Sequence, residues 1–294
     1  MGRDTAPALR EARMEQISVP ADMATAWAGA PGISVQIANP KDAIKLLPPS
    51  VAYRYDEAAA SSTPWVNSNG WKYMRNPGAR FYYDVPGPGA ALAAAEAFAY
   101  GGRAIVHTDA AGLKPFGLMI EFLKTLPSLD LPPLANIGYI DDGSPGSGEL
   151  MNLLVRRNLL FRLETAPDRR MDVNVRYGEG EFAKLANGDP SSLVQNIRSD
   201  LTDDKRLIRI FGSEVVIAHL TGSGDRLRIQ LLNYAAAARR VQEIRVGVIG
   251  RYPKYNVAVA GIPDAALADY KVGKDSTEFT LPSLKEYAVV DLSR

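Results

Sequence analysis

Apolar positions follow two different periods along the chain, and the change falls near Asp203-Asp204. Between Arg80 and Leu201, short extended runs alternate with stretches at helical spacing. Arg80 to Val85, Arg103 to His107, Asn136 to Ile140, Leu159 to Glu164 and Asp172 to Tyr177 read as strands. Ala90 to Tyr100, Gly112 to Leu126, Ser147 to Arg157 and Pro190 to Leu201 read as helices, with Asp189 placed to cap the last. In Gly112 to Leu126, Leu113, Phe116, Met119, Ile120 and Leu123 recur at three and four residues, which predicts an amphipathic helix. Strands alternating with helices at this spacing predict a parallel sheet with helices on its faces.

After Asp204 the period becomes two. Ile208 to Phe211, Glu214 to Leu220, Arg226 to Leu232, Glu243 to Ile249, Asn256 to Ala260, Thr277 to Leu281 and Glu286 to Leu292 predict short strands, with Gly, Asn, Pro and Asp in the gaps. Strands of this length and spacing predict an antiparallel sandwich. The expected organisation is an N-terminal arm with an aromatic loop over 1–79, an α/β unit over 80–204 and a β-sandwich over 205–294.

The first eighty residues are less regular. Residues 1–30 predict a frayed arm with one short helix, Gly32 to Ala38 and Val51 to Tyr55 predict extended chain, and Ala43 to Leu47 predicts a helical turn stopped by Pro48-Pro49. Ser61 to Asp84 is rich in aromatics, Asn, Gly and Pro, a composition suited to an ordered loop leading into a strand.

Composition narrows the function classes. The 294 residues are about twice the usual domain size, 46% hydrophobic and 23% charged, ordinary for a globular chain. Lys and Arg total 34 against 33 Asp and Glu, and they are scattered, so nucleic acid is not an expected partner. No stretch reaches the ~18 apolar residues of a membrane helix, so no membrane partner is expected either. The N-terminus lacks the apolar core of a signal peptide, leaving an intracellular protein or one whose leader is absent. With no cysteine, thiol catalysis and Cys-ligated metals are excluded, and two histidines make a His-based metal centre a poor expectation. No metal and no cofactor is predicted.

The segments LRIQLLNYA, VQEIRVGVIG and TEFTLPSLKEYAVVDL, all between Arg226 and Arg294, resemble the closing β-sandwich of multidomain glycoside hydrolases. The preceding α/β run resembles the glutamine-amidotransferase-like, flavodoxin-like domain of the β-galactosidase type of these enzymes. Ala91 to Gly101 (ALAAAEAFAYG) resembles the helix just upstream of that domain. The resemblance covers roughly residues 80–294 and implies a flavodoxin-like parallel sheet followed by a sandwich. In that family the catalytic carboxylates sit in an N-terminal barrel of about 250 residues. Only about eighty residues precede the α/β run here, so the resemblance implies a relative without that barrel. Amidotransferase chemistry is not implied, because it requires a nucleophilic cysteine.

Ligands of open parallel sheets bind beyond the carboxyl ends of the strands. That places His107, Asp109, Asp141 and Asp142 as candidates for acid–base or cation chemistry, with Asp84 and Glu96 in reserve. The competing reading is that Asp109, Ser144 and Ser147 only cap helices. Ser144 to Gly148 is a small-residue loop without the Lys and spacing of a P-loop, and no GxSxG elbow occurs. His219 lies in an alternating strand and reads as structural. Trp65, Asn67, Asn69, Trp71, Tyr73 and Arg75 are spaced by two, so an extended chain would place all six on one face. Such a face could offer ring platforms and hydrogen-bonding groups to a sugar. The competing readings are an Asn69-Gly70 turn that breaks the face, and tryptophans that wedge the arm onto the α/β layer.

The expectation is a carbohydrate-directed protein with a saccharide ligand, either binding it or cleaving it with Asp109 and Asp142 as the carboxylate pair. The alternative is a non-catalytic interaction subunit, including a homo-oligomer. A metal- or phosphate-dependent hydrolase using His107, Asp109 and Asp141 is a third reading.

Overall fold

The computed structural model describes residues 3–55, 62–179 and 190–294. A short helix α1 (Ala6–Glu11) and strand β1 (Gln16–Val19) open the chain, and a 3-10 segment over 21–27 carries the buried Trp27. Strands β2 (Ser34–Ile37), β3 (Ile44–Leu46), β4 (Ser50–Tyr55) and β5 (Ser62–Asn67) follow, then helix α2 (Gly70–Arg75). The regular part comprises β6 (Arg80–Asp84), α3 (Ala90–Ala99), β7 (Arg103–His107), α4 (Ala110–Thr125), β8 (Ile137–Ile140), α5 (Pro145–Arg156), β9 (Phe161–Leu163), β10 (Val173–Arg176) and α6 (Pro190–Lys205). The expected cap at Asp189 lies outside the described residues.

The mixture of parallel α/β structure and an antiparallel sandwich is present. The parallel strands do not form one flavodoxin-like sheet. They fall into two three-stranded sheets, ordered β3-β6-β7 and β10-β8-β9, plus the separate parallel pair β1-β2. Within the second sheet β8 is central and buried along its whole length, with β9 and β10 on either side. Strand order therefore reverses at β8, the position where connections leave a crevice above the strand ends.

Residues 44–46 form strand β3 rather than a helical turn. Ile44, Lys45 and Leu46 pair in parallel with Phe81, Tyr82 and Tyr83, and Leu46 is buried while Ile44 is exposed. A run this short cannot hold a helix by its own propensity, so the sheet edge decides its conformation.

The sandwich consists of β11 (Ile208–Phe211), β12 (Val216–Ser223), β13 (Arg226–Asn233), β14 (Val241–Ile249), β15 (Lys254–Val259), β16 (Ala268–Val272), β17 (Ser276–Leu284) and β18 (Tyr287–Ser293). Its two antiparallel sheets are ordered β11-β14-β17-β16 and β12-β13-β18-β15. Strand β16 was not predicted. It is a polar edge strand with a register shift between Ala268 and Lys271 and carries no alternation to read.

Helix α3 is buried nearly all round, with only Phe98 exposed, and packs against α4, β7 and β13. A helix apolar on every side belongs in a core, and its alanines let neighbouring layers approach closely. One hydrophobic cluster runs from Leu92, Met119 and Leu150 into Ile217, Leu232, Tyr234 and Tyr287 of the sandwich, so the layers share a core.

At the centre of that contact lies Glu96, fully buried. Its carboxyl accepts from Ser68 Oγ (3.3 Å), Asn69 N (2.7 Å), Asn69 Nδ2 (3.0 Å), Tyr83 OH (2.6 Å) and Tyr234 OH (2.6 Å). Burial, then the neighbouring Glu96, pushes the Tyr83 and Tyr234 hydroxyls well above their ordinary pKa, so both remain protonated donors. A second polar joint lies nearby. Gln230 donates to Ala99 O (3.0 Å), accepts from Tyr287 OH (2.5 Å) and meets His219 Nδ1 at 3.3 Å.

Glu96→Ala leaves five donors without their acceptor and is expected to cost about 3–5 kcal/mol, read as a fall in the urea midpoint. Burial lowers the His219 pKa from 6.5 to about 4. The unfolded chain therefore takes up this proton first. Stability is full above about pH 6.5 and falls as pH drops towards 4, by roughly 3 kcal/mol in all. His219→Gln is expected to flatten that slope. Equal slopes for the two proteins would remove the assignment.

Candidate functional site

The carboxyl ends of the parallel strands gather most of the predicted polar residues, in two groups. At the first, β6 ends in Asp84 and β7 in His107, and parallel register sets them side by side. His107 Nδ1 and Asp84 Oδ1 are 2.8 Å apart, with side chains 60% and 58% exposed. Asp109 is the N-cap of α4: its carboxylate accepts from Gly112 N (3.0 Å) and Gly87 N (3.2 Å). Both oxygens are engaged by backbone, which is the capping reading of this residue.

The second group stands on β8. Its buried Tyr139 points its hydroxyl at Ser147, and the next two positions place Asp141 and Asp142 at the strand exit. Asp141 is held by Arg75 in a two-pronged pair, Nε–Oδ2 at 2.8 Å and Nη2–Oδ1 at 2.7 Å. It also accepts from Ser147 Oγ (2.6 Å) and Gly143 N (3.0 Å). Burial raises the Asp141 pKa, but the hydrogen bonds from Arg75, Ser147 and Gly143 outweigh it and leave the carboxyl below its usual range. Asp142 is exposed, and hydrogen bonds from Ser144 lower its pKa. Ser144 caps α5 by accepting from Ser147 N at 3.1 Å.

The six residues from Trp65 to Arg75 do not share a face. Trp65 and Asn67 lie on β5, whereas Gly70 to Arg75 coils into α2, so spacing by two no longer aligns them. The Asn69-Gly70 step is where the extended chain ends. Asn69 and Tyr73 are buried: Asn69 binds Glu96 and the Leu47 carbonyl, and Tyr73 donates to Tyr83 OH at 2.8 Å. Trp65 is half-buried beneath the Arg156 guanidinium, 3.8 Å from the ring centroid. Trp71 lies beneath Arg75 at 5.2 Å and against Gly148, where a Cβ would meet the ring at 2.9 Å. Both tryptophans therefore pack the arm against α5, as the wedge reading expects. Asn67 donates to Ser50 Oγ at 3.1 Å.

Only Arg75 of that series reaches the strand ends. Sequence reasoning missed Ser147 as a partner of Asp141, and missed Tyr177, whose ring closes over Gly146 at the start of α5. The Pro145-to-Gly148 run signals small residues packed at a helix start, but nothing local names what packs there.

No protein-family model matches the chain, and no curated protein matches it by sequence. Among solved structures it is similar to α-L-fucosidase isoenzyme 2 from Paenibacillus thiaminolyticus, with a TM-score of 0.53, 9% identity, and 90% of this chain and 68% of that chain covered. It also aligns with a noncanonic maltogenic α-amylase from Thermotoga neapolitana at a TM-score of 0.22 and 10% identity, covering 99% of this chain and 93% of that chain. The first alignment shows that the chain shares its fold with that protein.

The strand-end groups can bind hydroxyls and cations through exposed carboxylates and an imidazole. Among the described residues, no group of three or more His, Asp or Glu side chains is arranged to hold a metal ion, and no helix is long and apolar enough to cross a membrane. Acid catalysis needs a carboxyl that stays protonated near neutrality. Asp141 and Asp142 are both shifted the other way.

Arg75→Ala is expected to raise the Asp141 pKa, detectable by carboxyl carbon NMR titration. It should also destabilise the fold by about 2–3 kcal/mol, because a half-buried carboxylate loses its cation. Arg75→Lys should recover only part of the loss, since an ammonium cannot reproduce the planar two-pronged pair. The stability from this pair is present above the ordinary Asp pKa and disappears as pH falls through the lowered one.

Proposed function

We propose that this chain is a carbohydrate-directed protein that binds an oligosaccharide at the carboxyl ends of its parallel strands without cleaving it. The observation carrying the reading is the superposition of nearly the whole chain, α/β layer and sandwich together, on an α-L-fucosidase fold. The contact surface is the β8 exit, where strand order reverses and where exposed Asp142 stands beside the Arg75–Asp141 clamp. Ionised carboxylates, a guanidinium and the exposed Asp84–His107 pair suit the hydroxyls of a sugar. Binding without hydrolysis is favoured because Asp142 has its pKa lowered and Asp109 is occupied by two backbone amides. Neither is set up as the protonated acid of a carboxylate pair.

A panel of neutral oligosaccharides, titrated by ligand-detected NMR, tests the binding. At least one should bind, and Asp142→Ala should weaken it tenfold or more. Mass spectrometry of the same mixtures should reveal no shortened products. Products that vanish in Asp142→Asn or Asp109→Asn would instead establish a hydrolase.

The packed tryptophans favour a second reading, an interaction subunit. It expects no effect of any saccharide on thermal unfolding, and a concentration-dependent mass in sedimentation equilibrium.

A further inference from the structure

The sandwich carries a second arrangement that the strand-end reading does not use. Two cavities, about 610 and about 450 Å³, open at the end of the sandwich where β15 begins and β18 finishes, and Arg294 lines both. Their walls carry Arg251, Lys274, Lys254 and Arg226 besides Arg294. None of these five cations forms an ion pair among the described residues. The acids there are Asp275, Asp225 and Asp291, and Asp291 is already engaged by Arg228 at 2.7 and 2.8 Å. Arg294 also lies over the Tyr252 ring, 5.9 Å from its centroid. Cations therefore outnumber acids around the two cavities in a protein whose overall balance is near neutral.

An aromatic ring is presented in the same place. Tyr255 lines the second cavity and is 42% exposed. Its ring rests on Tyr270 at 4.6 Å between centroids, and Tyr270 stacks in turn on the buried Phe279 at 6.3 Å. The loop beneath is fixed by its own hydrogen bonds. Tyr270 OH donates to Tyr252 O (2.6 Å), Tyr252 N to Thr277 Oγ1 (3.0 Å), and Thr277 Oγ1 to Gly250 O (2.8 Å). Gly250 has φ +108, and a Cβ there would meet the Tyr252 ring at 2.7 Å, so the tight loop requires glycine. The platform is therefore held in place before any ligand arrives, which lowers the ordering cost of binding.

A supported ring for the apolar face of a sugar, beside guanidinium and ammonium groups that form no ion pair among the described residues, fits a ligand that has both a ring face and carboxylates. The geometry points to a binding site for an acidic saccharide, a uronic-acid oligomer, on the end of the sandwich. This inference rests on the carbohydrate reading above but concerns a different surface and different residues.

The test uses the whole chain and trigalacturonate as probe, with maltotriose as the neutral control, in calorimetric titrations at low ionic strength. Trigalacturonate is expected to bind. Its affinity should fall at least tenfold in Tyr255→Ala and in Lys254→Ala/Arg294→Ala, and should drop as salt rises. All the altered side chains are exposed, and unchanged thermal unfolding of the variants verifies the fold. Absence of binding by wild-type protein overturns the proposal, as does binding that survives Tyr255→Ala but is lost in Asp142→Ala. Displacement of the trimer by equimolar sulfate also overturns it, because the cleft would then be a simple anion site. If neutral saccharides fail to bind while the trimer binds through Tyr255, the strand-end reading falls and this one stands.

Discussion

A buried carboxyl group must find donors, and Glu96 finds them in three parts of the chain at once. Ser68 and Asn69 come from the approach to α2, Tyr83 from β6 and Tyr234 from the sandwich. Because the acceptor is fully buried, water cannot replace any donor that drifts away. The α/β layer and the sandwich are therefore held at one mutual position, and the alanines around Glu96 allow the close approach its short hydrogen bonds need. Gln230 and His219 extend the polar joint along β12 and β13, inside an otherwise apolar interface. The two layers behave as one core for this reason, and the resemblance motif LLNY takes on a physical meaning. Its Asn233 ties the sandwich turn together through the Arg239 and Lys285 carbonyls, and its Tyr234 reaches the carboxyl.

That joint also sets where chemistry is available. Anchoring Asn69 to Glu96 starts α2 at Gly70, and one helical turn later Arg75 arrives over Trp71 and grips Asp141. The β8 exit is thus a rigid surface, ordered from below by Tyr139 and Ser147 and from the side by Arg75. Rigidity and lowered carboxyl pKa values suit recognition of a polyhydroxylated ligand better than proton donation to a leaving group. The end of the sandwich follows the same logic with different residues, since Tyr255 rests on Tyr270 and Phe279 while the cations lining its cavity form no ion pair among the described residues.

Local periodicity alone determined much of this molecule. Helix α3 was legible from its run of strong helix formers closed by Gly101-Gly102, α4 from apolar residues at three- and four-residue spacing, and β7 and seven of the sandwich strands from short apolar runs bounded by turn residues. The small residues from Ser144 onward, and Asp109 before α4, likewise announced helix starts, because caps act within three residues of their own position. Three features were decided only by the tertiary structure. Residues 44–46 became a strand because an existing sheet edge offered partners. The parallel strands divided into two three-stranded sheets and a separate pair because register between distant segments leaves no local trace. The Trp65-to-Arg75 series bent into a helix because Asn69 was drawn to a carboxyl 27 residues further along the chain. A spacing of two predicts a shared face only while the chain stays extended, and whether it does depends on a hydrogen bond that no local pattern contains.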